Sequence, residues 1–91
     1  MFDHKVIVKK IDEVLHLTED VLGKAQAENL SVYNHCGEWT IGFEILCDNL
    51  YESKSPISQQ VYDLIKDIGI SLNVDKKEWE ILKPQIPSAN S

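Results

Sequence analysis

Trp39, Phe43, Leu46 and Leu50 recur at spacings of four, three and four. That rhythm places them on one stripe of a helix, expected from about Glu38 to Tyr51. Cys47 falls beside the stripe. The other side carries Glu44, Asp48 and Glu52, a ladder of carboxylates one turn apart, with Ile41 and Ile45 inside the same arc. Like charges at this spacing repel, by about 0.2–0.5 kcal/mol per pair in an isolated helix. A helix apolar on one face, and acidic with embedded isoleucines on the other, fits a core element that also presents a surface to a partner.

The same reading extends along the chain. Val6, Ile7, Ile11, Val14 and Leu15 form an amphipathic stripe behind a candidate N-cap, Asp3, with Lys9, Lys10, Asp12 and Glu13 on the solvated side. Thr18, followed by Glu19 and Asp20, reads as the cap of a second helix, although Leu15 could also run straight on into Val21 and Leu22. This second helix is expected over residues 19–34, with Val21, Leu22, Ala25, Leu30 and Tyr33 as its apolar positions. Gly23 weakens it by about 1 kcal/mol relative to alanine. Gly37 fits the left-handed cap that ends it.

Beyond the central helix, Pro56 blocks continuation and Ser58 is the expected cap of a fourth helix. Ile57 and Tyr62 are placed to form a hydrophobic staple, and Val61, Leu64, Ile65, Ile68 and Leu72 form the buried stripe. Gly69 and Asn73 are expected to loosen its end. Asp75 to Glu78 has the spacing of a capping box for a short last helix bearing Trp79, Ile81 and Leu82, which Pro84 ends. The β-branched residues are too scattered for a sheet. The expectation is therefore an all-α, single-domain bundle of four to five helices over residues 1–86, with a disordered tail at 87–91.

Composition narrows the function. Of 91 residues, 15 are acidic and nine basic, and all nine basic residues are lysines, so the chain carries a net charge of −6. Without arginine or a basic patch, nucleic-acid binding is not expected; a basic protein partner is. No apolar run approaches the roughly 18 residues of a membrane span. Met1 to Lys5 lack the pattern of a signal peptide, which points to the cytoplasm and to free thiols at Cys36 and Cys47.

Candidate chemistry is sparse. His4, His16 and His35 stand apart, and His35, Cys36 and Cys47 fall short of the four ligands of a structural zinc site. The glycines are single and dispersed, without a phosphate-binding loop. No catalytic residue, metal or cofactor is expected. Trp39 and Trp79 read as core residues. The acidic ladder reads either as a plain solvated face or as an interaction surface, in which Ile41, Ile45, Tyr51 and Tyr62 would supply apolar anchors.

The run Gly37-Glu38-Trp39-Thr40-Ile41-Gly42-Phe43-Glu44-Ile45-Leu46-Cys47-Asp48-Asn49-Leu50 resembles the central segment of MafI-type immunity proteins. There a Gly-Glu break precedes a helix reading roughly Ala-Leu-Glu-x-Leu-Cys-Asp-x-Leu. The likeness continues through Tyr51-Glu52, Pro56-Ile57, a helix ending in Gly69, and a tryptophan-bearing segment at Trp79, and covers about Leu17 to Ile86. Gly42 stands where the family usually has alanine, and the region before His35 aligns less well. The resemblance implies a small helical antitoxin that binds and neutralises a secreted polymorphic toxin domain, often a nuclease, by covering its active or substrate-binding surface. It supplies no contact residues, so the candidate surface rests on the physical reading: Glu44, Asp48, Glu52, Ile41, Ile45 and Tyr51, with Asp63 and Asp67 joining if the central and fourth helices pack side by side. The alternative is a small acidic helical adaptor or regulatory subunit that binds a cellular protein.

Overall fold

The computed structural model describes residues 3–87. Its first element is α1, His4–Leu17, started by Asp3, whose carboxylate accepts from the Lys5 amide at 2.9 Å. Ile7, Ile11, Val14 and Leu15 are buried along one face, as their spacing predicts, whereas Val6 is exposed rather than part of the buried stripe. Thr18 ends α1 and holds the N-cap position of the helix after it, but its side chain makes no cap bond. Its hydroxyl turns back and donates to the Val14 carbonyl at 2.7 Å, and the residue is buried.

The expected second helix is in fact two: α2, Glu19–Leu22, and α3, Lys24–His35. Gly23 separates them with φ 88° and ψ 149°, a conformation that essentially only glycine adopts. The chain turns there, so α3 is re-registered: Ala27 is buried and Ala25 is exposed. Gly37 then ends α3 as expected. With Gly37 at φ 77°, the Glu38 amide donates to the Tyr33 carbonyl and the Gly37 amide to the Asn34 carbonyl, which is a Schellman cap.

The central helix, α4, runs Trp39–Ser53, slightly longer than expected, and buries Phe43, Leu46, Cys47 and Leu50. After the loop through Pro56, the Ser58 hydroxyl accepts from the Val61 amide at 3.1 Å and starts α5, Gln59–Ser71. Ile57 and Tyr62 are both buried, which removes Tyr62 from the candidate surface anchors. Helix α5 passes through Gly69 and closes two residues beyond it, with Asn73 in the left-handed conformation and a Val74 amide to Gly69 carbonyl bond of 3.0 Å. Gly69 is there for space rather than looseness: a Cβ at this position would run into the Trp79 ring.

The last helix, α6, is one turn, Lys77–Glu80, followed by a 3-10 turn at Lys83–Gln85 that contains Pro84. Asp75 accepts from the Lys77 amide at 3.0 Å, so the expected reciprocal box with Glu78 is replaced by a simpler turn. Trp79 and Leu82 are buried, while Ile81 stays exposed. Gln85 fastens the segment down, donating to the Leu50 and Ser55 carbonyls at 2.8 and 2.9 Å. The described residues thus contain six α-helices and no strand, one helix more than expected because Gly23 divides the second. The expected tail at 87–91 lies, beyond Pro87, outside the described residues.

Helix α1 packs on α3 and α5, α4 packs on α2, α3 and α6, and α5 also meets α6. One core joins them, with Phe43 meeting Trp79 edge-on at 6.5 Å between ring centres. Trp39 sits at its margin, half-buried, with its indole N–H on the Asn34 carbonyl at 2.9 Å. The Cα envelope measures 39 × 30 × 18 Å, about two helix layers deep, so each long helix keeps a face toward solvent. No described helix is long and apolar enough to cross a membrane.

Candidate functional site

The buried stripe of α4 fixes what its opposite face shows. With Phe43, Leu46 and Leu50 turned inward, Glu44, Asp48 and Glu52 are all exposed, and Ile41 between them is 48% exposed. Tyr51 is 50% exposed at the edge of the arc. Ile45 is half-buried and packs against the core, so it contributes only part of its surface. Six of the eight residues expected from sequence therefore share one helix face.

One further carboxylate reaches this face from a distant part of the chain. Glu78 is half-buried on α6, which packs against α4. Burial raises its pKa above the ordinary carboxylate range, and the negative charges of Glu44, Asp48 and Asp75 raise it further. The same environment acts on Cys47 beneath it: burial first, then Glu78, Asp48 and Glu44, push its thiol up, leaving it protonated and unreactive at neutral pH. Sequence reasoning missed Glu78 because its spacing from Asp75 reads as a local capping motif. Only the docking of α6 on α4 makes Glu78 part of the arc.

Three acidic side chains elsewhere are paired within the chain, two with lysines and one with a histidine. Asp67 lies 3.9 Å from the Lys10 ammonium, Glu80 lies 3.9 Å from that of Lys83, and Asp12 lies 3.1 Å from His35 Nε2. Among the described residues, Glu44, Asp48, Glu52 and Glu78 have no such ion pair. Unpaired carboxylates held together sustain a negative potential that is strongest within a screening length of about 8–10 Å.

Asp63 and Asp67 do not join the arc. The backbone of α5 approaches α1 and α6 rather than running along α4, so the side-by-side packing that would bring them in is absent among the described helices. Asp67 faces Lys10 on α1, and Asp63 accepts from the Gln59 side chain one turn earlier at 2.9 Å. Asp12, expected on a solvated side, is a structural link. It accepts from Asn34 Nδ2 at 2.9 Å and from His35, tying α1 to the end of α3. Asn34 is buried, and its Nδ2 also reaches the Val8 carbonyl at 3.0 Å.

Cys36 is exposed and Cys47 buried, and both are free. Among the described residues, no group of three or more His, Cys, Asp or Glu side chains is placed to hold a metal ion. What the face offers is a patch of negative charge with an exposed isoleucine inside it. Comparison with protein-family models, curated proteins and solved structures finds no match for the chain.

Proposed function

We propose that this chain is an immunity protein: a small helical antitoxin that binds the toxic domain of a secreted polymorphic toxin and covers its active or substrate-binding surface. The observation that carries the reading is the unneutralised arc of Glu44, Asp48 and Glu78 around α4, with Ile41 exposed among the carboxylates. A nuclease toxin holds a basic surface for its phosphates, and a rigid acidic face can occupy that surface in place of nucleic acid. Ile41 and Tyr51 would supply apolar contact at the centre and margin, while the charges accelerate encounter and select the partner. The resemblance of residues 37–50 to the MafI-type segment supports the same reading. Inhibition of this kind needs no reaction and no cofactor, and both proteins would meet in the cytoplasm of the producing cell.

The test is co-expression with the C-terminal domain encoded by the gene immediately upstream. The reading expects the two to purify as one complex and the domain to lose its toxicity. A domain that stays toxic and purifies alone would overturn it, and the adaptor reading, in which a cellular protein is the partner, would then take its place.

A further inference from the structure

A second surface of opposite character lies between the end of α5 and α6. It is an open groove of about 490 Å³, lined by Lys66 and Ile70 from α5, Val74 after the turn, and Lys76, Trp79 and Glu80 beyond it. Its floor is firm. Trp79 is buried against Gly69, where no Cβ could be accommodated, and against the edge of Phe43. Ile70 stands at its side with 59% of its surface exposed.

The charges around the groove run against those of the whole chain. Lys66 and Lys76 have no ion pair among the described residues, while Glu80, the one carboxylate on the wall, lies 3.9 Å from the Lys83 ammonium. In a chain of net charge −6, the charged residues that line the groove are two lysines and one carboxylate, so its lining is net positive.

We propose that this groove binds a segment of a partner protein in which an aliphatic side chain is flanked by carboxylates. The aliphatic group lies against Ile70, Val74 and Trp79, and the carboxylates meet Lys66 and Lys76. Burial of the apolar group carries the affinity, while the exposed ion pairs contribute little energy and decide which sequences fit. A nucleic acid is the poorer fit, since two lysines neutralise too few phosphates to hold one. A second copy of this chain is disfavoured by the net negative charge on both. The inference does not rest on the antitoxin reading: the arc on α4 takes a positive surface and this groove a negative one, and separate substitutions address them.

The two tryptophans make the test internally controlled. The full chain, labelled with 15N, is titrated to millimolar concentration with the acetylated, amidated peptide Glu-Leu-Glu-Glu-Leu-Glu, and separately with its counterpart bearing lysine for glutamate. The acidic peptide should shift the Trp79 indole and the Ile70 and Val74 amides while the Trp39 indole stays in place. Lys66→Glu with Lys76→Glu should weaken binding about tenfold or more, and Ile70→Ser should weaken it comparably without altering the rest of the spectrum. Equal shifts from the lysine peptide would overturn the proposal, as would no shift at the groove from the acidic one. Groove shifts that arise from raising the protein concentration alone would identify the occupant as a second copy, and would overturn it too.

Discussion

Glu78 shows how one side chain can couple the arc to stability. Its pKa is raised in the folded chain, by burial and then by Glu44, Asp48 and Asp75. The folded state therefore binds that proton more tightly than the unfolded state does. The stabilisation is fully present below the ordinary carboxylate pKa and is lost as pH rises through the raised folded value. Glu78→Gln should consequently stabilise the protein at neutral pH and flatten the part of the pH–stability curve between those two values, as read by denaturant titration at a series of pH values. An unchanged curve would mean that Glu78 is not held among the other carboxylates. Cys47 supplies a second residue-level expectation. With one exposed and one buried free thiol, a thiol reagent should modify Cys36 promptly in the native protein and reach Cys47 only on unfolding. Cys47 was legible as a core residue because it borders the stripe of Phe43, Leu46 and Leu50. Glu78 was not legible as part of a surface, since nothing in residues 75–80 encodes what lies across from them.

At the scale of elements, periodicity located α1, α4 and α5 because each buries a long stripe against the rest. It also located the caps that act locally, at Asp3, Gly37 and Ser58. The division between α2 and α3 escaped it. A glycine's propensity penalty is the same whether it continues a helix or breaks it, and only the tertiary arrangement decides that Gly23 takes φ 88°. The packing of α5 on α1 is likewise beyond local pattern, which is why the side-by-side condition for Asp63 and Asp67 to join the arc is not met. The central position of α4 can be measured directly. Phe43 touches the space left by Gly69 and the edge of Trp79, so Phe43→Ala should cost about 2–5 kcal/mol in denaturant unfolding. A loss well under that range would show that α4 is not the element on which the others converge. Gly69→Ala should also destabilise, by about 1–3 kcal/mol, by forcing Trp79 out of its seat.

Across the whole molecule, two surfaces differ in charge. The outer face of α4, joined by α6, carries unneutralised carboxylates, while the groove between α5 and α6 carries unneutralised lysines. Three acidic positions near the other helices are engaged: Asp12 with Asn34 and His35, Asp67 with Lys10, Glu80 with Lys83. That contrast selects the proper controls. Asp12 holds α1 to α3, so its reversal would confuse folding with binding, whereas Glu13 is exposed on α1 and is the sound comparison. The measurement that bears most directly on the antitoxin reading is therefore the binding rate of the upstream toxin domain to three forms of this chain: the parent, Glu44→Lys with Asp48→Lys, and Glu13→Lys. The account predicts that reversing the α4 pair slows association about tenfold or more and flattens its salt dependence, while Glu13→Lys leaves both close to the parent. Association unaffected by the α4 pair but weakened by Glu13→Lys would contradict it, and would place the toxin on another face.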